Sequence, residues 1–357
     1  MNLFEVDIIN KFNQRYPFQN FIKYCCGADR NTTEKLRLTT FINEVYSNND
    51  NTNKYYIKQI MNEMLKYLDT FINTTSNTND SRVCFLDEPE SFQEWLYEQY
   101  IEYLNIQYDP NLEDIITYTF SVGNNINSTG LQIKIREKPN IISSENTTGL
   151  KTWEAALYLT YYLCKSFPND NNIKTSNNET MNVLELGCGT GVVGISYYKL
   201  YAKYWANCNA HLTDGSDFVI NEVLPYNCKL NDCTNENVHH YQMDWSEPYL
   251  RYIYDDKKID LILGADITFD DECIYYLTYC LKELFHNNAK NGCYALISAT
   301  IRKETTIEYF IQRCKELGLQ VELVSSCSND DNDGFIKDVL FKPLTAPIRI
   351  YKVSYYI

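Results

Sequence analysis

The sequence predicts an α/β protein: a mostly parallel sheet covered by helices, preceded by a helical region and a β-hairpin. Three observations carry this. From residue 181 onward, short apolar runs alternate with segments of helical periodicity. Before that, two stretches of period-two alternation flank a turn-rich segment. The first ~110 residues show helical spacing only.

Taken in order, KYYIKQIMNEMLKYLDTFI (54–72) places Ile57, Ile60, Met61, Met64, Leu65 and Leu68 on one helical face. PESFQEWLYEQYIEYL (89–104) is a second helix, with Pro89, Glu90 and Glu94 suited to its amino-terminal end. The polar tracts 47–53, ahead of the first of these helices, and 73–80, between the two, are too poor in apolar residues to pack, and are expected as loops or disordered insertions. TYTFSVG (117–123) and LQIKIRE (131–137), joined by GNNINSTG, form the hairpin. A helix is expected over TGLKTWEAALYLTYYL (148–163), followed by the polar linker 168–180. MNVLELG, NAHLTD, NVHHYQMD, IDLILGAD, CYALISAT and LQVELVSS are strands, and the segment from FIKDVLF (335–341) through IRIYKVSYYI (348–357) returns to strand character. The expected organisation is a helical accessory region (1–112), a hairpin and helix (113–180), and a core (181–357).

Composition excludes several function classes. The formal charge of −15 repels phosphate backbones, and Lys257-Lys258 and Arg302-Lys303 are only isolated basic pairs, so no nucleic acid or anionic membrane partner is expected. The thirteen cysteines are odd in number and irregular in spacing; Cys25-Cys26, Cys228 and Cys233 lack partners at zinc-ligand spacing, so no metal site is expected. The amino-terminal MNLFEVDIINKF carries acids and no apolar stretch, and no apolar run reaches the ~20 residues that span a bilayer. These features suit a reduced, cytoplasmic, soluble chain. With no heptad seam and a strong acidic charge, a monomer is expected.

The strongest local signal is VLELGCGTGVVG (183–194), a strand running into Gly187, Cys188, Gly189 and Gly191 at the start of a helix. Glycine permits positive φ and close approach of a ligand, and the helix presents unpaired N–H groups. With Glu185 ahead of it, this E-x-G-x-G-x-G pattern resembles motif I of the seven-β-strand methyltransferases that use S-adenosylmethionine (SAM). The resemblance implies a Rossmann-like seven-stranded sheet. Asp214 ends the second strand, where an acid can accept hydrogen bonds from ribose hydroxyls; its alternative role is a helix N-cap, which Ser216 or Asp217 could also fill. Asp244-Trp245 ends the third strand and resembles the acidic and aromatic pair that brackets adenine, although a Trp there is also an ordinary core-rim residue. Ala265, small and next to Asp266, would let the fourth strand approach the methionine moiety.

Two further segments narrow the resemblance. TGLKTWEAALYL (148–159) is similar to a T-G-x-x-x-W-x-A-A segment, and Asp266-Ile267-Thr268-Phe269 to a D-x-x-[FY] signature, in one group of protein lysine methyltransferases. Within that group the likeness is to the fungal and animal enzymes that methylate a lysine of translation elongation factor 2. It implies methyl transfer from SAM to a lysine ε-amine, with Trp153 against the cofactor. Asp266 is then a docking group and not a general base, because a carboxylate favours the ammonium form. Phe269 lines a channel around the lysine, or else belongs to the core. Methylation of another protein residue or a small molecule, or a non-catalytic binding module, are the competing readings. D-I-T-F, lacking the N-P-P-[YF] pattern of base-modifying enzymes, disfavours a nucleic-acid substrate.

Overall fold

The computed structural model describes residues 3–25, 53–66, 89–123, 130–166, 180–202, 207–233, 236–247, 258–330 and 334–355. The polar tracts 47–52 and 73–80, the hairpin turn 124–129, the linker 168–179 and Leu68 lie outside them. The chain divides into two compact units, Met1–Tyr118 and Thr119–Ile357.

The first unit contains α1 (Leu3–Asn13), α2 (Phe18–Cys25), α3 (Lys54–Lys66) and α4 (Pro89–Tyr103). As the spacing predicts, Ile57, Ile60, Met61 and Met64 of α3 are buried, against Phe12, Phe21 and Leu96 among others. Arg15 grips the buried Asp114 with Nε donating to Oδ2 at 2.9 Å and Nη2 to Oδ1 at 2.7 Å. A buried charge needs such a partner, since removing it strands the other ion. Nothing in the local sequence announces this pair, whose members are 99 residues apart.

Asp114 opens β1 (Asp114–Phe120), which pairs with β2 (Leu131–Glu137) in a two-stranded sheet. Alternate residues of both strands are buried, as period-two patterning requires. In the second unit, α5 (Glu154–Lys165) starts later than expected. Thr152 N–H donates to Glu137 Oε2, Gly149 N–H to Thr147 Oγ1, and Trp153 Nε1–H to the Thr148 carbonyl. These side-chain bonds satisfy the segment without helix, and Trp153 itself is extended.

The remaining elements are β3 (Thr180–Leu186), α6 (Val192–Tyr201), β4 (Asn207–Asp214), α7 (Leu224–Leu230), β5 (Val238–Gln242), β6 (Ile259–Ala265), α8 (Asp271–Asn287), β7 (Ala289–Thr300), α9 (Glu304–Glu316), β8 (Gln320–Cys327) and β9 (Ile348–Ser354). The seven strands from β3 onward form one sheet in the order β5-β4-β3-β6-β7-β9-β8. β3, β4, β5, β6 and β7 run parallel, and β9 is antiparallel to both its neighbours. The expected Rossmann-like seven-stranded sheet is therefore present. FIKDVLF, expected as strand, is instead a wide helical turn (Ile336–Leu340). Phe335 and Val339 recur at helical spacing and are both buried, whereas a strand would have put them on one face with Lys337 between.

Within the second unit, β2 is held by two buried asparagines of and beside α7. Asn227 Oδ1 accepts from Arg136 N–H at 2.9 Å, while its Nδ2 donates to the carbonyls of Arg136 and Thr190. Asn231 repeats the exchange at Lys134. The side-chain amides complete an edge that no strand covers. Asn227→Ala leaves the buried Thr190 carbonyl and the partly buried N–H and carbonyl of Arg136 without this partner, and lowers the unfolding free energy by about 3 kcal/mol. Urea titration checks this against Asn221→Ala, whose exposed amide reaches only Asp217, and which leaves the midpoint unchanged.

Candidate active site

Strand order reverses between β3 and β6, and in such sheets the crevice beyond the strand ends at that point receives ligands. A cavity of about 960 Å³ lies there. The loop after β3 forms its floor. Gly187 and Gly189 have φ of +60° and +51°. A Cβ on Gly187 would stand 2.7 Å from Ile267 Cγ2, and one on Gly189 would stand 3.3 Å from the Cα of Gly149. Gly187 therefore disfavours a side chain for steric and conformational reasons together, and Gly189 chiefly through its positive φ, with a tight contact beside it. Gly191 begins α6 and is not among the cavity-lining residues.

Asp214 fastens this loop. Its Oδ2 accepts from Gly189 N–H and its Oδ1 from Ser216 N–H, each at 3.0 Å. Val219 N–H turns to Ser216 Oγ, so the capping role falls to Ser216. Burial raises the Asp214 pKa, and hydrogen bonds from Ser216, Gly189 and Gly215 draw it back. Behind the loop, Glu185 is fully buried and accepts Gly194 N–H at 2.8 Å. Burial pushes its carboxyl up to about 8, against the Gly194 bond and with the charge of Asp214. Cys188 N–H bonds to the Thr213 carbonyl, which ties the loop to β4.

At the rim, Asp244 is exposed and accepts two hydrogen bonds from Ser246, through side chain and backbone, which lower its pKa. The half-buried Trp245 ring passes beside Gly187 and packs against the core. Ala265 closes β6 and also lines the cavity.

Asp266 follows with φ +55°, a left-handed conformation rare for a side-chain-bearing residue and frequent at functional sites. Its N–H bonds to the Ser298 carbonyl, and its Oδ1 accepts from Thr300 N–H at 3.2 Å. Arg302 then binds the same carboxylate with both terminal nitrogens, Nη2 to Oδ2 at 2.9 Å and Nη1 to Oδ1 at 3.3 Å. The guanidinium stands 5.5 Å from the Trp153 ring centroid, and the Lys151 ammonium 5.4 Å from it. Ile267 and Thr268 are buried, whereas Phe269 is 57% exposed at the cavity mouth, which removes the core alternative for it.

The sheet therefore gathers Trp153, Glu185, Gly187, Cys188, Gly189, Asp214, Asp244, Trp245, Ala265, Asp266 and Phe269 around one cavity. The sequence reasoning missed Arg302, Lys151 and Thr190. Arg302 follows β7, which lies beside β6 with Ser298 opposite Ala265, and this pairing brings it to Asp266. Thr190 Oγ1 lies 2.9 Å from Thr152 Oγ1 and gave no signal in the sequence. The cavity fits the cofactor implied by the sequence: glycines held without side chains at the floor, a carboxylate at the end of β4, an indole at the end of β5, and a volume within the ~300–1,000 Å³ of small-molecule sites.

Comparison with known proteins agrees. Residues 130–316 match the model of a family described as lysine methyltransferase. Protein-lysine N-methyltransferase EFM3 of Saccharomyces cerevisiae is 34% identical over 312 residues, covering 85% of this chain and 86% of that one. EFM3 of Chaetomium thermophilum is also 34% identical, over 53% of each chain. Protein-lysine N-methyltransferase EEF2KMT of Mus musculus is 27% identical, over 55% of this chain and 57% of that one. A match across most of its length, on a sheet that assembles the expected cavity, makes this chain a member of the lysine methyltransferase family and a SAM-dependent protein-lysine N-methyltransferase.

Proposed function

We propose that this enzyme methylates a lysine of translation elongation factor 2 in the cytoplasm, acting as a monomer, with Asp266 and Phe269 receiving the lysine side chain. The observation that carries the reading is the placement of Asp266 and the exposed Phe269 at the mouth of the cavity floored by the glycine loop. The T-W-E-A segment and the D-x-x-[FY] match support the choice of substrate.

Gly187, Cys188 and Gly189 would hold the cofactor along the floor, Asp214 its ribose, Asp244 and Trp245 its adenine, and Ala265 and Trp153 its methionine end. Glu185 and Gly191 shape the loop from behind. Bound there, SAM would supply a methyl group on a sulfonium sulfur, which the lysine lone pair would accept while the S–C electron pair stayed with sulfur. The amine must arrive neutral, although a free lysine is almost wholly protonated at pH 7. Partial burial beside Phe269 favours the neutral form, and the proton leaves to water before attack. Asp266 orients the amine by accepting its N–H. We further propose that the helical region 1–112 recognises the folded substrate.

Two substitutions separate cofactor binding from nucleophile docking. Gly189→Arg abolishes SAM binding measured by calorimetry, because the side chain drives the loop off the Gly149 backbone. Asp266→Ala keeps SAM affinity within about threefold while methylation falls at least about a hundredfold; an equal loss of SAM affinity would assign Asp266 to the cofactor. For the substrate, incubation with labelled SAM and cell extract labels a single protein, elongation factor 2, on lysine. Label in RNA, in small molecules or in another protein rejects the choice. Undiminished labelling after removal of residues 1–112 rejects the recognition role of that region.

A further inference from the structure

Resting on the lysine reading above, one charged pair in the cavity still lacks a role. Asp266 is buried at its side chain (7% exposed), whereas Arg302 is 49% exposed, and the two are joined by both guanidinium nitrogens. An unpaired carboxylate beside the incoming lysine would favour its ammonium form, which has no lone pair to donate. A guanidinium keeps its charge at every pH of interest and cancels that bias. It also leaves room on the carboxylate. An ionised carboxyl offers about four acceptor sites. Arg302 takes two of them and Thr300 N–H a third.

We propose that Arg302 is a positioning residue for the nucleophile: by neutralising Asp266 it lets that carboxylate accept an N–H from the neutral amine without holding the amine as an ammonium ion. The guanidinium also stands 5.5 Å from the Trp153 ring centroid, a cation–π contact that helps to hold it beside the carboxylate.

Other titratable groups face the same cavity. Lys151 comes from the segment before α5, and Asp270, Glu272, Cys273 and Tyr276 from the start of α8. Asp270 is occupied as the α8 cap, accepting Cys273 N–H at 2.8 Å. The Cys273 thiol is pushed up to about 12 by burial and by the charges of Asp270 and Glu272, and stays neutral. Glu185, Asp214 and Asp244 lie at the strand ends, on the cofactor side. All of these are common to the variants compared below, so a difference between variants reports position 302.

The test measures the rate of lysine labelling in cell extract against pH, from about 6.5 to 10, for the natural enzyme, Arg302→Met and Arg302→Lys, with SAM affinity in parallel. Arg302→Met loses about tenfold at pH 7 and recovers at high pH, its profile displaced upward by about one pH unit. Arg302→Lys keeps the original profile, and both variants keep their SAM affinity. A second readout needs no turnover: without SAM, Arg302→Met binds n-butylammonium at pH 8 about fivefold or more tighter than the natural protein, because the carboxylate then takes the cation. Superimposable pH profiles, equal n-butylammonium affinity, or a loss of SAM affinity on Arg302→Met overturns the inference while lysine labelling stands. Absence of lysine label with the natural enzyme overturns the lysine reading, and the inference with it.

Discussion

Parallel strands that leave β3 in opposite directions, β4 to one side and β6 to the other, open a gap that no helix can fill at their carboxyl ends. Several of the cavity-lining groups stand at the strand ends that flank that reversal. The glycine loop leaves β3, Asp214 leaves β4, Trp245 follows β5, and Asp266 and Arg302 come from the adjacent ends of β6 and β7. Parallel register transmits the placement. Leu186 lies opposite Thr213 and Gly264, and Ala265 opposite Ser298, so the strands end nearly level. A rigid scaffold of this kind can hold a glycine-rich loop in a single shape.

The carboxylates of the cavity differ in what they are bound to. Asp214 and Glu185 spend their oxygens on backbone N–H groups, and so build the loop. Asp266 is bound to a cation and one N–H, and sits on strained backbone. Burial without a counter-charge raises the first two, which makes them responsive to a bound positive charge. Of these three carboxylates, Asp266 is the one paired with a fixed cation.

Much of this was legible in the residues. The E-x-G-x-G-x-G loop, the acids at strand ends and the D-I-T-F turn are short-range patterns, and local sequence encodes them. The sheet's alternation was equally visible, although the insertion of β9 between β7 and β8 was not, because strand order depends on long-range pairing. The start of α5 was misjudged because Glu137, distant in sequence, satisfies Thr152 N–H and removes the need for helix. Arg302 was dismissed as half of an isolated basic pair. Its meaning arises only from register, a property of two strands and not of one. The Asn227 and Asn231 amides were invisible for the same reason: their partners lie more than ninety residues away.

The glycine loop also carries a thiol. Cys188 lines the cavity, and its pKa stands well above that of a free cysteine, through burial first and then the charges of Asp214 and Glu185. A thiolate is a far better acceptor of a methyl group than an amine at neutral pH, and an enzyme that carries an alkylating agent must not alkylate itself. Burial first, and the charge of Asp214 after it, favour the protonated sulfur. A change that opened this thiol to water would therefore favour the thiolate beside a methyl donor.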